Sequence, residues 1–232
     1  MWYADAMKSM TKIFAVNIKE SISENKLSKF RYLLTTERRI QIDKYFQKDD
    51  YLRTFLGEIL VRLKIAELAG LQPENIQIGQ DYNNKPIITN IPEVHFNVAH
   101  SGNWVVCAIS RLPCGIDIEK MDEIHLDIAE RFFSRNEYYQ IKEAKGRLQK
   151  ELFYELWTLK ECYAKFKGQG LEMLLMDFEF VKNNGIWNLH SAASDACNFK
   201  QIEIDKAYKT SICFMDTNYS YEYVAINDLI NS

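Results

Sequence analysis

Residues 52–71 read LRTFLGEILVRLKIAELAGL, and residues 152–171 read LFYELWTLKECYAKFKGQGL. In both stretches apolar side chains recur at intervals of four, three, four and three residues, which is one stripe along an α-helix. The corresponding positions are Leu52, Leu56, Ile59, Leu63, Ala66, Gly70 and Leu71 in the first copy and Leu152, Leu156, Leu159, Tyr163, Phe166, Gly170 and Leu171 in the second. A glycine near each carboxyl end is typical of a helix cap. The match at a constant offset predicts a repeat of two similar halves.

Each helical stretch is followed by residues that alternate between apolar and polar side chains. These are residues 76–78 in the first copy and 178–180 in the second, and the pairs Asn83-Asn84 and Asn183-Asn184 come after them. This pattern predicts a strand, a turn and a second strand. Each half is therefore expected to combine a long helix with an antiparallel hairpin. A chance resemblance between two amphipathic helices followed by strands is the alternative.

Further elements are expected outside this repeat. Residues 94–99 and 104–110 predict a strong pair of strands joined by a turn at Ser101-Gly102-Asn103, and residues 219–226 are expected to be their weaker counterpart. One more helix is expected over residues 37–47. Another begins at the capping box Ser134-Arg135-Asn136-Glu137 and is expected to end at Gly146.

These elements predict an α+β fold. We expect a pseudo-twofold duplication of two halves, each a helix with an antiparallel sheet, over residues 1–113 and 114–232. The first strand is expected to begin near Ile13, with residues 1–10 as a loose extension.

Composition excludes several classes of protein. The 232 residues carry 29 Lys and Arg against 32 Asp and Glu, a net charge of −3, which is unsuited to non-specific binding of nucleic acid. The longest apolar run, residues 104–109, is far shorter than the roughly 20 residues of a membrane span. The amino terminus lacks the pattern of a secretory signal. Five cysteines without a C-x₂-C pair predict reduced thiols and a cytoplasmic location.

A short segment, Gly115-Ile116-Asp117-Ile118-Glu119, carries two acids at alternate positions. Successive side chains of a strand face opposite sides, so Asp117 and Glu119 are expected to lie side by side. Adjacent carboxylates suit a hard cation such as Mg²⁺. A solvated sheet edge is the alternative interpretation.

Both long helices carry a second face opposite the apolar stripe. The faces consist of Tyr154, Trp157, Glu161 and Lys165 in the helix predicted over residues 150–167, and of Thr54, Gly57, Val61 and Ile65 in the first helix. Neither has the composition of an ordinary solvent-exposed face. We therefore expect the halves to pack through these helices, with Glu161 and Lys165 at the seam. A surface ion pair between these two residues, one turn apart, is the alternative.

The histidines carry weaker signals. His100 stands between a predicted strand and a turn, where a buried structural role is the usual explanation. His95, His125 and His190 have no Cys or His at metal-ligand spacing. The sequence also lacks the motifs of nucleophile-elbow hydrolases, P-loop proteins and HExxH zinc proteases.

Five segments taken together resemble the 4'-phosphopantetheinyl transferases of the surfactin-synthetase-activating type. They are residues 53–57, 96–101, 115–119, 131–134 and 157–165, which read RTFLG, FNVAHS, GIDIE, RFFS and WTLKECYAK. Their order and spacing match over residues 13–228. The resemblance implies an active site between two pseudo-twofold halves. It also implies a cytoplasmic monomer that transfers the 4'-phosphopantetheine group of coenzyme A to a serine of an apo acyl or peptidyl carrier protein, releasing 3',5'-ADP.

The same resemblance implies roles for individual residues. Asp117, Glu119 and Glu161 correspond to the Mg²⁺ ligands, and Glu161 also to the general base. Lys165 corresponds to a catalytic cation that contacts the pyrophosphate of coenzyme A and neutralises or protonates the leaving group. The other implied contacts to coenzyme A are Arg38, Thr54, Lys85, His100, Ser101 and Lys160.

The sequence departs from the family at three positions. Ala99 stands where members often have serine, Asn84 stands where the first hairpin has glycine, and Gln41 stands where some members have a basic residue. The last departure affects the expected 3'-phosphate pocket. The carrier protein is expected to dock along residues 124–133 and the capped helix after them, with Phe133 as a contact.

Two other functions are compatible with parts of the pattern. A metal-dependent nuclease also begins with acids on a strand, although the net charge and the lack of a D/E-x-K triplet disfavour it. A non-catalytic module that binds coenzyme A or a nucleotide would keep the pocket and have little need for Glu161.

Overall fold

The computed structural model describes residues 10–20, 24–169, 175–191 and 195–229, and within them the chain forms seven α-helices and eleven strands. The helices are α1 (Glu24–Ser28), α2 (Thr36–Ile42), α3 (Lys48–Ala69), α4 (Leu126–Phe132), α5 (Arg135–Glu143), α6 (Gly146–Lys167) and α7 (Ile226–Leu229). The strands are β1 (Met10–Asn17), β2 (Ile78–Gln80), β3 (Pro86–Ile88), β4 (His95–Ser101), β5 (Trp104–Ser110), β6 (Cys114–Lys120), β7 (Glu179–Asn183), β8 (Ile186–His190), β9 (Asn198–Gln201), β10 (Tyr208–Phe214) and β11 (Asn218–Tyr223).

Two antiparallel three-stranded units repeat the same order. In the first half β5 lies between β1 and β4, and in the second half β10 lies between β6 and β9. Helix α3 packs on β4 and β5, while α6 packs on β6 and β10. This arrangement confirms the predicted α+β fold with a pseudo-twofold duplication.

A small hairpin follows each long helix. Strands β2 and β3 form the first hairpin, and β7 and β8 form the second. Their turns hold Asn84 and Asn184 at positive φ angles of 62° and 50°. Asparagine tolerates this left-handed backbone better than most residues do. The two Asn-Asn pairs therefore mark the same turn in both halves.

The carboxyl ends of the long helices are capped by glycines. Helix α3 ends at Ala69, and Gly70 follows in the left-handed conformation, as predicted. Helix α6 ends at Lys167, and its cap is Gly168. Residues 170 and 171, which complete the repeat in the sequence, lie outside the described residues, as do residues 1–9 of the expected extension.

The ends of α2 and α5 and the start of α6 differ from the prediction. The capping box is present, since Ser134 N donates to Glu137 Oε2 at 2.8 Å. Helix α5 nevertheless ends at Glu143, and Gly146 is the first residue of α6 rather than a stop. The helix expected over residues 37–47 is the shorter α2, because the chain turns after Ile42 before α3 begins.

The last strand crosses from the second half to the first. Strand β11 pairs in parallel with β1, with Tyr221 opposite Ile13. The prediction that residues 219–226 mirror the strand pair of the first half is therefore wrong, because β9 and β10 occupy that place in the second sheet. Strand β6 begins at Cys114, and on this basis we propose residues 1–113 and 114–232 as the two halves, with β11 and α7 reaching back to the first.

The halves meet through strands. Strand β6 packs against β4 and β5, and Ile116 N donates to Asn97 Oδ1 at 2.8 Å. On α3, Gly57 faces Val98 and Val105 of its own sheet. The expectation that the halves pack helix against helix is therefore wrong, because the second face of α3 contributes to the core of its own half.

Gly115 allows α6 to lie directly on β6. A Cβ atom at this position would overlap the carbonyl oxygen of Cys162 and the nitrogen of Phe166, and it would lie 3.0 Å from Phe166 Cα. All three are backbone atoms, so no side-chain rotation could relieve the overlap. The backbones of the helix and the strand are therefore in contact two residues before Asp117.

Among the described residues, none of the helices combines the length and the apolar character that crossing a membrane requires. The five cysteines carry free thiols, and four of them are buried. The cytoplasmic location stays a prediction.

We expect Gly115→Ala to lower the free energy of unfolding by about 1–3 kcal/mol, because the added methyl group must push α6 away from β6. Urea unfolding followed by circular dichroism measures this change. Gly57→Ala is the matched control, since its Cβ would meet only side-chain methyl groups, of Val98 at 3.2 Å and of Val105 at 3.6 Å, and alanine favours a helix. Equal stability of Gly115→Ala and the unmodified protein would contradict the close approach.

Candidate active site

Asp117 and Glu119 lie on one face of β6, as the alternation predicts. Ile116 and Ile118 face the other side and are buried in a core cluster that both halves share. Asp117 is only 4% exposed, and among the described residues its buried Oδ2 atom has no hydrogen-bond partner. Glu119 accepts a hydrogen bond from Ser101 Oγ at 2.8 Å. The interpretation as a solvated sheet edge is therefore wrong.

Helix α6 brings Glu161 and Lys165 to these acids. Lys165 Nζ lies 2.6 Å from Asp117 Oδ1 and 3.3 Å from the carbonyl oxygen of Ile116. The ammonium group reaches across to β6 in place of pairing with Glu161 on the surface. The alternative of an exposed ion pair within α6 is therefore wrong.

The carboxylates of the site affect one another. Burial and the charge of Asp117 raise the pKa of Glu119 to about 7. Burial and Asp117 also raise the pKa of Glu161. Burial alone would lower the pKa of Lys165, but the combined attraction of Asp117, Glu161 and Glu119 outweighs burial and raises that pKa. The site therefore holds more negative charge than one lysine compensates.

The donor chemistry of the three acids fits a hard divalent cation. Carboxylate oxygens are the ligands that Mg²⁺ prefers, and the unpartnered Oδ2 atom of Asp117 is available to bind such an ion. Within the part of the chain that the structure describes, no three His, Cys, Asp or Glu side chains already form a closed metal site. Asp117 nevertheless lies close enough to Glu119 and Glu161 to raise the pKa of both carboxyl groups.

A cavity in the first half brings together three predicted contacts to coenzyme A. Arg38, Thr54 and His100 all line this first cavity, and Arg53 lines it too. His100 is exposed at this position, so the interpretation as a buried structural histidine is wrong. The rest of the lining includes the apolar residues Val61, Ile78, Phe96 and Val98. Cations beside an apolar surface suit an anionic ligand with an aromatic part.

Neighbouring side chains hold the arginines of the first cavity. Arg38 Nε donates to Glu58 at 2.7 Å, and its Nη1 donates to Gln41 Oε1 at 3.1 Å. Gln41, at the position where some family members are expected to carry a basic residue, therefore orients Arg38 without adding a charge. Arg53 donates to the carbonyl oxygen of Gly102 at 2.6 Å and pairs with Asp50.

A second cavity contains the reactive groups of α6. Glu161 and Lys165 line it together with Lys85, and its apolar wall includes Phe132, Trp157, Leu175 and Met176. Pro86 and Asn97 line both cavities, so the two are neighbours. Lys85 Nζ donates to the carbonyl oxygen of Lys165 at 2.7 Å, so it also caps the end of α6.

Two of the predicted contacts to coenzyme A do not line either of these cavities. The hydroxyl group of Ser101 is engaged with Glu119, and it also accepts from Lys120 N at 3.1 Å. Lys160 is fully buried and ion-paired with Glu137 at 2.8 Å. Neither side chain lines a described cavity. Ser101 and Lys160 are adjacent to His100 and Glu161 in the sequence, but their side chains point in different directions, and their contact with coenzyme A stays a prediction.

Phe133 is not a surface contact either. It is 2% exposed, and its ring packs against Phe153 and Trp157 with centroid distances of 5.5 Å and 6.1 Å. A charge at this position would disrupt the core of the second half. The expected role of Phe133 in docking is therefore wrong.

The structure adds three residues that sequence reasoning missed. Arg53 lines the first cavity and Arg131 the second. Asn97 lines both cavities, and it accepts a hydrogen bond from Ile116 N of β6. Arg53 and Arg131 begin the RTFLG and RFFS segments, and Asn97 is the second residue of FNVAHS. Their place in these segments was the available signal, but residue type alone does not show which way a side chain points.

Comparison with known proteins shows the family to which the chain belongs. The family model described as "4'-phosphopantetheinyl transferase superfamily" matches residues 113–221, and "4'-phosphopantetheinyl transferase, N-terminal" matches residues 21–111. The chain is 35% identical to 4'-phosphopantetheinyl transferase Sfp of Bacillus subtilis (strain 168) over 204 residues, which cover 87% of this chain and 91% of that protein. It is 31% identical to 4'-phosphopantetheinyl transferase gsp of Aneurinibacillus migulanus over 226 residues, or 96% and 94% of the two chains.

Among solved structures, the chain is similar to a holo-(acyl-carrier-protein) synthase from Bacillus anthracis str. Ames in complex with CoA (3',5'-ADP). The TM-score is 0.39 at 20% identity, and the match covers 45% of this chain and 96% of that one. The sequence relatives establish the class of protein, which is a transferase enzyme. The chain belongs to the 4'-phosphopantetheinyl transferase superfamily.

The raised pKa of Glu119 predicts a pH-dependent stability in metal-free buffer. Its folded pKa of about 7 lies above the ordinary value of 4.5, so the folded state binds more protons between these values and stability falls as the pH rises through them. Because solvent screens part of the effect, we expect Glu119→Gln to be more stable than the unmodified protein by about 1–2 kcal/mol near pH 8.

This advantage should largely disappear near pH 5, where Glu119 is mostly protonated in the folded protein. Urea unfolding at both pH values, with a chelator present, measures the difference. A difference that does not change with pH would contradict the assigned electrostatics.

Proposed function

We propose that the protein transfers the 4'-phosphopantetheine group of coenzyme A to a serine hydroxyl of an apo carrier protein and releases 3',5'-ADP. The observation that carries this proposal is that Glu161 and Lys165 line the second cavity, beside the first, while Lys165 pairs with the buried Asp117. The family membership supports the same reaction. We also propose that the protein is a cytoplasmic monomer and that its substrates are acyl or peptidyl carrier proteins.

The two cavities match the two parts of coenzyme A. The first cavity, with Arg38, Arg53 and His100, suits the phosphorylated nucleotide. The second cavity, with its apolar wall, suits the pantetheine arm. Lys165 lines the second cavity, and its Nζ donates to the carbonyl oxygen of Ile116, whose N–H donates to Asn97. Asn97 lines both cavities, so the pyrophosphate that connects the two parts of coenzyme A would pass near Lys165.

Each charged group of the site has a role in this reaction. A magnesium ion held by Asp117, Glu119 and Glu161 would stabilise negative charge on the pyrophosphate. Glu161 accepts the proton of the carrier serine, directly or through a water molecule, and its raised pKa makes it a better base. The serine oxygen forms a bond to the β-phosphorus, and the bond from this phosphorus to the oxygen of 3',5'-ADP breaks. Lys165 stabilises the charge that develops on the leaving group.

We expect the protein, with coenzyme A and Mg²⁺, to raise the mass of an apo carrier protein by roughly 340 Da, the mass of one phosphopantetheine arm. Glu161→Gln should lower the turnover by about 10²-fold or more, because it removes the base and a ligand. Mass spectrometry of the carrier over time measures both results.

Glu151→Gln is the control: this half-buried residue near the amino-terminal end of the same helix pairs with the exposed Arg147 and lines neither cavity, so the variant should keep the rate of the unmodified protein. If several carrier types gain no mass, the transferase proposal fails. Binding of coenzyme A without any mass gain would instead favour the non-catalytic module, and cleavage of a plasmid would favour the nuclease.

The carrier protein is proposed to dock beside the second cavity. With Phe133 buried, the surface of this region is formed by other side chains, including Leu126 and Tyr139, which are 36% and 44% exposed. Arg131 and Phe132 of α4 line the cavity, so a protein that contacts α4 and α5 can present its serine to Glu161.

Leu126→Glu is therefore expected to raise the KM for the carrier about tenfold, since it places a charge in the contact, while the KM for coenzyme A stays the same. Initial rates with each substrate varied in turn measure both constants. Ile186→Glu, at an exposed site on the β7–β8 hairpin, is the control. Equal carrier KM values for the two variants would show that α4 does not contact the carrier.

A further inference from the structure

Lys160 lies immediately before Glu161, yet its ammonium group is turned away from the cavities. It donates to the carbonyl oxygens of Leu175 at 2.8 Å and Phe178 at 2.6 Å, and it lies 2.8 Å from Glu137 Oε2. The three protons of the ammonium group therefore have three acceptors. The group also lies 4.4 Å from the centre of the Phe178 ring.

Glu137 is equally well satisfied. Its Oε1 accepts from Phe180 N at 2.7 Å, and its Oε2 accepts from Ser134 N at 2.8 Å in addition to Lys160. The side chains of Lys160 and Glu137 are 0% and 1% exposed. This buried pair thus connects α6 with the start of α5, with β7 and with the short helix Leu175–Asp177.

Two sides of the second cavity are attached to this pair. Leu175 and Met176 line the cavity and belong to the short helix Leu175–Asp177. Lys160 donates a hydrogen bond to the first carbonyl group of this helix, that of Leu175. Arg131 and Phe132 line the cavity as well. They come just before Ser134, and the N–H of Ser134 donates a hydrogen bond to Glu137. The pair therefore determines how far apart these two sides stand.

Stability alone does not explain the pair. Removing two charges from water is costly, and an apolar pair of similar volume often stabilises a core as well or better. A buried ion pair has directional contacts that an apolar pair lacks, and these contacts hold particular backbone groups in place.

We propose that Lys160 is a positioning residue, whose contacts with Glu137 and with the Leu175–Asp177 helix hold Leu175 and Met176 as the wall for the pantetheine arm of coenzyme A. The inference rests on the proposed function, because that function places the arm in the second cavity. It assigns no contact with the nucleotide to Lys160.

The experiment compares two ligands by calorimetry, without a carrier protein. Coenzyme A carries the arm, whereas 3',5'-ADP lacks it and tests the first cavity alone. The double variant Lys160→Met with Glu137→Gln removes both charges and leaves an amide that can still bond to nearby backbone groups. We expect it to bind coenzyme A about tenfold more weakly and to bind 3',5'-ADP as the unmodified protein does.

A second variant covers the case in which the double variant fails to fold. Met176→Ala changes a side chain that is 50% exposed. It should also weaken the binding of coenzyme A and leave the affinity for 3',5'-ADP unchanged. Lys182→Met, which removes an exposed lysine paired with Glu155, is the control and should change neither affinity.

The inference is overturned if a folded double variant keeps its affinity for coenzyme A, or if its affinities for both ligands fall equally. It is also overturned if Met176→Ala leaves the affinity for coenzyme A unchanged. Failure of the unmodified protein to bind coenzyme A would instead overturn the proposed function. The two failures are therefore distinguishable.

Discussion

The backbone contact between α6 and β6 at Gly115 determines the geometry of the whole site. Because no Cβ separates the two backbones, Cys162 and Phe166 of the helix lie directly over the strand. Asp117 is two residues farther along β6, and Lys165 reaches it at 2.6 Å. A longer separation of helix and strand would move the lysine out of hydrogen-bond reach of that acid.

This contact concentrates charge in a place that is largely shielded from water. Asp117 raises the pKa of both Glu119 and Glu161, in addition to the effect of their burial. The excess of negative charge is unfavourable for folding, and it prepares the site for a cation. Catalytic sites often trade stability for such an arrangement. Here the carboxylates that repel each other are the same ones that we propose as ligands of the metal ion and, for Glu161, as the acceptor of the proton.

The two halves have diverged in what they contribute. The first half supplies the cavity with Arg38, Arg53 and His100, whereas the second supplies the acids, Lys165 and the apolar wall. In the second half the buried pair of Lys160 and Glu137 organises the surroundings of the reactive helix. In the first half the residue at the corresponding repeat position of α3 is Leu60, which is apolar and buried in the core. The ion pair is therefore a feature of the second half only.

Periodicity in the sequence was sufficient for the two long helices, the two hairpins and the alternation of acids and isoleucines on β6, because these depend on local backbone geometry. The same local signals did not reveal that β11 pairs with β1, since strand pairing depends on residues that are far apart in the chain. They also could not separate Lys160 from Lys165 or Phe133 from Phe132, because the direction of a side chain depends on what packs around the helix. The sequence by itself thus determined the repeated elements and the residue types of the site, and the tertiary structure alone decided which of those side chains face the cavities.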